Sequence, residues 1–161
     1  MSVEGFRIEP AGEADIPVVL ALIRELAAYE RAGRVEVDEA LLRRFLFCER
    51  PAAEVFLGYY DGAPVSYAIV YPVFSSYRGC ANLWLEDFYV QPQARGKGIG
   101  RLMMAHLARL AIERGCAFLA WGVLNWNEPA IEFYRRLGAR RDQSHCQFYL
   151  EGEALRAAAG I

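Results

Sequence analysis

Two adjacent carboxylates, Glu86 and Asp87, interrupt the otherwise apolar stretch NLWLEDFYV. Neighbouring side chains on a strand point to opposite faces, so a regular central strand would bury at least one of them. A bulge or a water-filled cleft would relieve that cost, and either would open the sheet at this point. Burial would raise a carboxylate's proton affinity and suit it to general-base chemistry. A solvated edge or a structural ion pair would explain the same residues without any chemistry.

Immediately downstream, residues 90–107 read VQPQARGKGIGRLMMAHL, with Gly96, Gly98 and Gly100 interleaved with Arg95 and Lys97. Ile99, Leu102, Met103, Leu107 and Leu110 recur at helical spacing, which places the glycines where a helix begins. A helix N-terminus offers unpaired amides and the positive end of the dipole, and glycine lets the backbone approach a ligand closely. That is the chemistry of phosphate or pyrophosphate binding, with a merely tight strand-to-helix connection as the alternative. A nucleotide-hydrolysing P-loop would need Lys and then Ser or Thr after its last glycine, but Arg101 and Leu102 follow Gly100. A dinucleotide fingerprint would need glycine where Arg101 stands and an acidic residue ending the next strand, Ala117 to Val123.

The third cluster is NWNEPAIEFYRRLGA, residues 125–139. Tyr134 follows Asn127 by two helical turns, so one helix could present both to a cleft. A tyrosine hydroxyl can protonate a leaving thiolate, although Phe133 and Tyr134 equally fit a helix packed on a sheet. Arg135 and Arg136 read as solvated helix-end charges. His106, between Met103 and Leu110, reads as a hydrogen-bonded packing residue, and His145 reads similarly. Cys48, Cys80, Cys116 and Cys146 form no C-x-x-C pair and read as free thiols, so no metal site is expected. Without a G-x-S-x-G motif or a Cys-His pairing, nucleophilic catalysis has little support.

The elements that must position these groups follow from pattern and punctuation. Phe6 to Glu9 reads as a strand, and Asp15 with Pro17 opens a helix whose stripe Ile16, Val19, Leu20, Ile23 and Ala27 runs toward Glu30. GRVEV is a loop, and Asp38 caps a second helix through about Phe47. Glu54 to Tyr60 and Val65 to Phe74 form a hairpin around Asp61-Gly62. A polar loop, Ser75 to Cys80, precedes the strand Asn82 to Val90. The glycine-loop helix ends near Gly115, before the strand Ala117 to Val123. Asn127 then caps a helix that Gly138 ends, and His145 to Leu150 reads as a final strand before a peripheral alanine-rich tail. This order predicts an α/β chain with a mixed sheet and helices on both faces.

A chain of 161 residues with a net charge of -2 is expected to form one domain, residues 1–161. The charge gives no reason to expect a nucleic-acid partner. No apolar run is long enough to span a bilayer, and MSVEGFRIEP is not a signal peptide, so a cytoplasmic protein is expected.

Taken together, the motifs resemble the GNAT superfamily of acyl-CoA-dependent N-acetyltransferases, whose R/Q-x-x-G-x-G/A signature is matched by Arg95, Gly98 and Gly100. Within it, LEDFYV, RGKGIG, WNEPAIEFYRRLGA and IRELAAYE are similar to the spermidine/spermine (diamine) and thialysine acetyltransferases. The resemblance implies a mixed, mostly antiparallel twisted sheet, splayed where acetyl-CoA binds. It implies that Arg95, Gly96, Lys97, Gly98, Ile99, Gly100 and Arg101 hold the pyrophosphate, and that backbone groups of Phe88, Tyr89 and Val90 pair with the pantetheine arm. Glu86 would act as base, directly or through water, and Tyr134 as acid, with Asn127 and Tyr134 also contacting the cofactor. Direct attack in a ternary complex of a homodimeric enzyme is implied.

The polyamine enzymes carry Asp-Pro-Trp before the LED strand and an acidic residue before the last strand. Here those places hold Ser75-Ser76-Tyr77 and SHCQFYL. With Glu30, Tyr77, Glu86 and Asp87 as the acceptor-binding candidates, a small diamine or lysine-like amine fits better than a long polyamine. Acetylation of a protein N-terminus or lysine, and a CoA-binding sensor without turnover, are the rival readings.

Overall fold

A computed structural model describes residues 3–144 and 146–161. The chain divides into two compact units, Met1–Trp126 and Asn127–Ile161. In the first, the elements run β1 (Phe6–Pro10), α1 (Ile16–Glu30), α2 (Glu39–Leu46), β2 (Glu54–Tyr60), β3 (Ala63–Ser75), β4 (Cys80–Val90), α3 (Ile99–Glu113) and β5 (Leu119–Trp121). Local chemistry explains most boundaries. Pro17 stands in the first turn of α1, where a missing amide costs nothing. The Asp38 carboxylate accepts the Leu41 amide at 2.8 Å and caps α2. Asp61 and Gly62 both take positive φ, 50° and 83°, the left-handed pair that a two-residue hairpin needs between Tyr60 and Ala63.

One five-stranded sheet results, in the order β1-β2-β3-β4-β5. The first four strands are antiparallel, and β5 joins β4 in parallel after the α3 crossover. Ile16, Val19, Leu20 and Leu26 of α1 and Leu42 of α2 pack on Val55, Leu57, Tyr67, Ile69 and Tyr89. Phe56 lies between Val55 and Leu57 and so points to the other face, where its ring meets His106 of α3 with centroids 5.0 Å apart. The sheet is therefore covered on both faces.

The register of β4 carries the feature that matters most. Ile69 opposes Asp87 while the next residue, Val70, opposes Leu85, leaving Glu86 as an extra residue on β4. This bulge reverses the alternation of the strand: Leu85 shares a face with Val70, and Asp87 shares the opposite face with Ile69. It also ends the partnership with β5, whose last pair is Leu85 with Trp121.

That is why β5 is shorter than the expected Ala117 to Val123. At its start, the amides of Ala117 and Phe118 bond to the Asn82 side chain at 3.0 Å and 3.3 Å. At its end, β4 turns away. Upstream, β4 begins at Cys80, inside the segment read as a loop, because β3 and β4 continue as a ladder to Ser75 and Cys80.

In the second unit, α4 (Glu128–Arg136) is capped by Asn127, whose side chain accepts the Ala130 amide at 3.3 Å. The expected strand from His145 to Leu150 is not formed over residues 146–150, and His145 lies outside the described residues. Phe148, Tyr149 and Leu150 are 90%, 76% and 60% exposed. Their β-favouring composition has no ladder to join, and such propensity needs a partner edge to act. The alanine-rich tail is helical instead, as α5 (Gly152–Ala159), which is exposed throughout.

Candidate active site

The bulge sets two neighbouring carboxylates on one face. Tyr67 and Tyr71 lie on the same side of β3, four residues apart. The Tyr67 hydroxyl donates to Asp87 Oδ2 at 3.0 Å, and the Tyr71 hydroxyl donates to Glu86 Oε2 at 3.1 Å. Trp84 Nε1 donates to the same Glu86 oxygen at 3.0 Å. Glu86 thus has one oxygen fixed by two donors while the residue stays exposed. A carboxylate held in this way can accept a proton without first finding its orientation.

Asp87 is the more buried of the two. Burial pushes its pKa up, the Tyr67 hydrogen bond pulls it down, and the charge of Glu86 raises it further. Glu30, the last residue of α1, completes the group: burial raises its pKa first, and the charge of Asp87 adds to it. Tyr67, fully buried, has its ionisation strongly suppressed by burial and by both carboxylates, so it remains a donor. Glu30, Glu86 and Asp87 converge on one region where negative charge is under-compensated. A cation would be favoured there.

Next to this cluster, the edge of β4 is no longer paired with β5. The Gln91 amide donates to the Val65 carbonyl at 2.9 Å, so by antiparallel alternation Tyr89 directs its backbone groups toward β3. Phe88 and Val90 direct theirs toward the edge that β5 has left. The Val90 carbonyl accepts Arg95 Nε there at 2.8 Å. The Arg95 guanidinium lies 4.8 Å from the Tyr29 ring centroid and 5.6 Å from that of Tyr89. Arg95, read from sequence as a charge for a phosphate, therefore also ties the loop to α1 and β4.

At the loop itself, Gly96 and Gly98 take φ of 76° and 85°, which side-chain-bearing residues adopt only under strain. Gly98 is the N-cap of α3 and supplies no side-chain cap, so the amides of Ile99, Gly100 and Arg101 begin the helix without an intrahelical acceptor. Ile99 is 1% exposed and anchors the turn, while Lys97 and Arg101 are exposed, Lys97 Nζ lying 4.8 Å from the Tyr60 ring centroid. Helix-start amides beside exposed cations are the geometry and charge that suit an anion.

Asn127 and Tyr134 belong to the second unit, where Asn127 caps α4 and the Tyr134 ring meets Phe133 with centroids 5.3 Å apart. Tyr77 stands at the tip of the β3–β4 hairpin, fully exposed. His106 packs on Phe56, but its Nε2 is buried without a hydrogen-bond partner, and burial lowers its pKa. Sequence reasoning missed Tyr67, Tyr71 and Trp84, the donors that fix the two carboxylates. Their signal was present as YAIVY, with tyrosines at an even spacing on the strand opposite the LED segment.

Comparison with known proteins agrees with this geometry. Residues 20–139 match the model of the acetyltransferase (GNAT) family. Thialysine N-epsilon-acetyltransferase of Bos taurus is 38% identical over 166 residues, covering 95% of this chain and 96% of the relative. Spermidine/spermine N(1)-acetyltransferase-like protein 1 of Homo sapiens is 33% identical over 146 residues, covering 86% of this chain and 21% of that longer protein. Among solved structures, an integron cassette protein from the mobile metagenome of V. cholerae superposes with a TM-score of 0.81 at 26% identity, covering 98% of this chain and 99% of that one. The split sheet, the glycine turn and these matches lead to one conclusion: the chain belongs to the GNAT family and is an acetyltransferase.

Proposed function

We propose that the protein transfers an acetyl group from acetyl-CoA to a primary amine of a small diamine or lysine-like acceptor, by direct attack within a ternary complex. The observation that carries this reading is the bulge at Glu86, which sets Glu86 and Asp87 on one face, near Glu30 of α1 and next to the edge of β4 that β5 leaves. In this reading the α3 amides with Arg95, Lys97 and Arg101 hold the pyrophosphate. The Phe88 and Val90 backbone pairs with the pantetheine arm in the gap left by β5. Glu86 removes the proton that keeps the acceptor an unreactive ammonium, directly or through water. The free amine attacks the thioester carbonyl, and Tyr134 protonates the departing thiolate. Asn127 and Tyr134 would contact the cofactor, which requires that the two compact units act as one domain. The family match runs across their boundary, in support of that.

The charge supply argues for the size of the acceptor. Asp87 and Glu30 suit one ammonium besides the reacting amine, and the Ser75-Ser76-Tyr77 region adds no carboxylate for a longer polycation. Among the described residues no helix is long and apolar enough to cross a membrane. A cytoplasmic homodimer is the reading that the family resemblance suggests.

Thiol release from acetyl-CoA, measured with putrescine, spermidine, spermine, lysine, thialysine and short peptides, tests the assignment. Turnover is expected with putrescine, lysine or thialysine above spermine. Peptide acetylation alone would make it a protein acetyltransferase, and silence with retained acetyl-CoA binding would make it a sensor.

A further inference from the structure

Cys80 and Cys116 read from sequence as free thiols, and the fold brings their backbones to one place. β4 and β5 are parallel, with Leu83 opposite Leu119. Cys80 stands three residues before Leu83, and Cys116 stands three before Leu119. Asn82 bridges the same two segments. Its Oδ1 accepts the amides of Ala117 and Phe118 at 3.0 Å and 3.3 Å and receives Cys80 Sγ at 3.9 Å. The Cys80 thiol and the peptide joining Cys116 to Ala117 therefore meet at a single oxygen.

Both backbones are held. Cys80 opens β4 opposite Ser75, and the Cys116 amide closes α3 on the Ala111 carbonyl at 2.9 Å. Both cysteines are half-buried, whereas Cys48 and Cys146 are exposed. The two backbone donors fix the orientation of the Asn82 amide, whose Nδ2 is buried without a hydrogen-bond partner.

We propose that Cys80 and Cys116 form a redox-responsive dithiol, oxidised by a small-molecule disulfide to a bond that ties the start of β4 to the segment entering β5. One thiolate of the pair attacks a sulfur of the external disulfide, forming a mixed disulfide and releasing one small thiol. The second thiolate then attacks the protein sulfur of that mixed disulfide, closing the Cys80–Cys116 bond and releasing the second small thiol. The two protein thiols are oxidised, the external disulfide is reduced to two thiols, and the two thiol protons are carried away on them. The bond would close the end of the β4–β5 pair opposite the split, leaving the acetyl-transfer groups untouched.

The test is to incubate the folded full chain with oxidised glutathione, alkylate the remaining thiols and digest with trypsin. Peptides 79–95 and 115–135 contain Cys80 and Cys116 respectively. The expected product is these two peptides linked, with Cys48 and Cys146 alkylated or glutathionylated. In Cys80→Ser and in Cys116→Ser the link should vanish and the remaining partner should retain glutathione. A fluorescence melt of the oxidised wild-type chain should show a raised midpoint that dithiothreitol reverses. The proposal is overturned if Cys80 and Cys116 are both recovered alkylated, or if either is linked to Cys48 or Cys146 instead.

Discussion

Strand β4 contains two environments divided by one inserted residue. From Leu83 to Leu85 it is paired on both edges, and both leucines are 1% exposed. From Asp87 to Val90 it pairs with β3 and no longer with β5, and Asp87 is a partly buried carboxylate whose proton affinity is raised. The first half holds the sheet together, while the second gives up a neighbouring strand and the regular alternation of burial. A continuous sheet could not do both, because every backbone group on a central strand already has a partner. The bulge separates the two tasks within a few residues.

Substitutions on the two sides of the bulge should fail in different ways. Glu86→Gln keeps an acceptor for the Tyr71 and Trp84 donors but cannot take a proton at neutral pH. We expect kcat to fall on the order of 10²–10⁴-fold with the thermal midpoint nearly unchanged, the range for losing a positioned base. Tyr134→Phe should show a smaller loss in kcat that is relieved by acyl donors with a more acidic thiol. Steady-state kinetics with donors of graded thiol pKa would measure both. An unchanged kcat in Glu86→Gln would remove Glu86 from the chemistry.

On the other side of the bulge, Leu85→Ala should affect the fold. Leu85 is 1% exposed, and truncating such a side chain costs about 2–5 kcal/mol through lost transfer energy and the cavity left behind. Denaturant unfolding should register that loss, while the KM for acetyl-CoA of the remaining folded enzyme stays close to that of wild type. A stable Leu85→Ala protein with impaired cofactor binding would show that the two halves are coupled.

How much of this was legible in the sequence depends on how local the cause is. The Asp61-Gly62 turn, the Asp38 and Asn127 caps and the glycine entry to α3 are set by a few adjacent residues, and all were readable. Glu86 and Asp87 announced that a regular strand would not do, and the bulge is one of the two reliefs expected. That they share a face follows from the register against β3, which no local pattern fixes. Glu30 meets Asp87 only because α1 packs across the sheet. The strand read into residues 145–150 failed for the opposite reason: its residues favour β structure, but without a neighbouring edge that preference has nothing to act on. The Asn82 contacts that shorten β5 depend on a loop distant in sequence, and an asparagine in a strand gives no sign of its partner.

The smallest expected effect tests whether the open half is held in readiness for a cation. Glu30 has a folded-state pKa above its ordinary value of 4.5, because burial and the charge of Asp87 disfavour the ionised form. The folded chain therefore holds the proton more tightly than the unfolded chain does. As pH rises from below 4.5 through the raised value, wild-type stability should fall by the cost of ionising Glu30 in the fold. Glu30→Gln removes that cost. Its midpoint should match wild type below the ordinary carboxylate pKa and exceed it slightly at neutral pH, by an amount limited because Glu30 is only partly buried. An acceptor amine should narrow the gap, since its ammonium would stabilise the ionised wild-type carboxylate and gain less from the amide. Melts from acid to neutral pH, with and without a diamine, would read both differences. A wild-type chain that is the more stable of the two at neutral pH without amine would mean that Glu30 already has a cationic partner and that the pocket is not waiting for one.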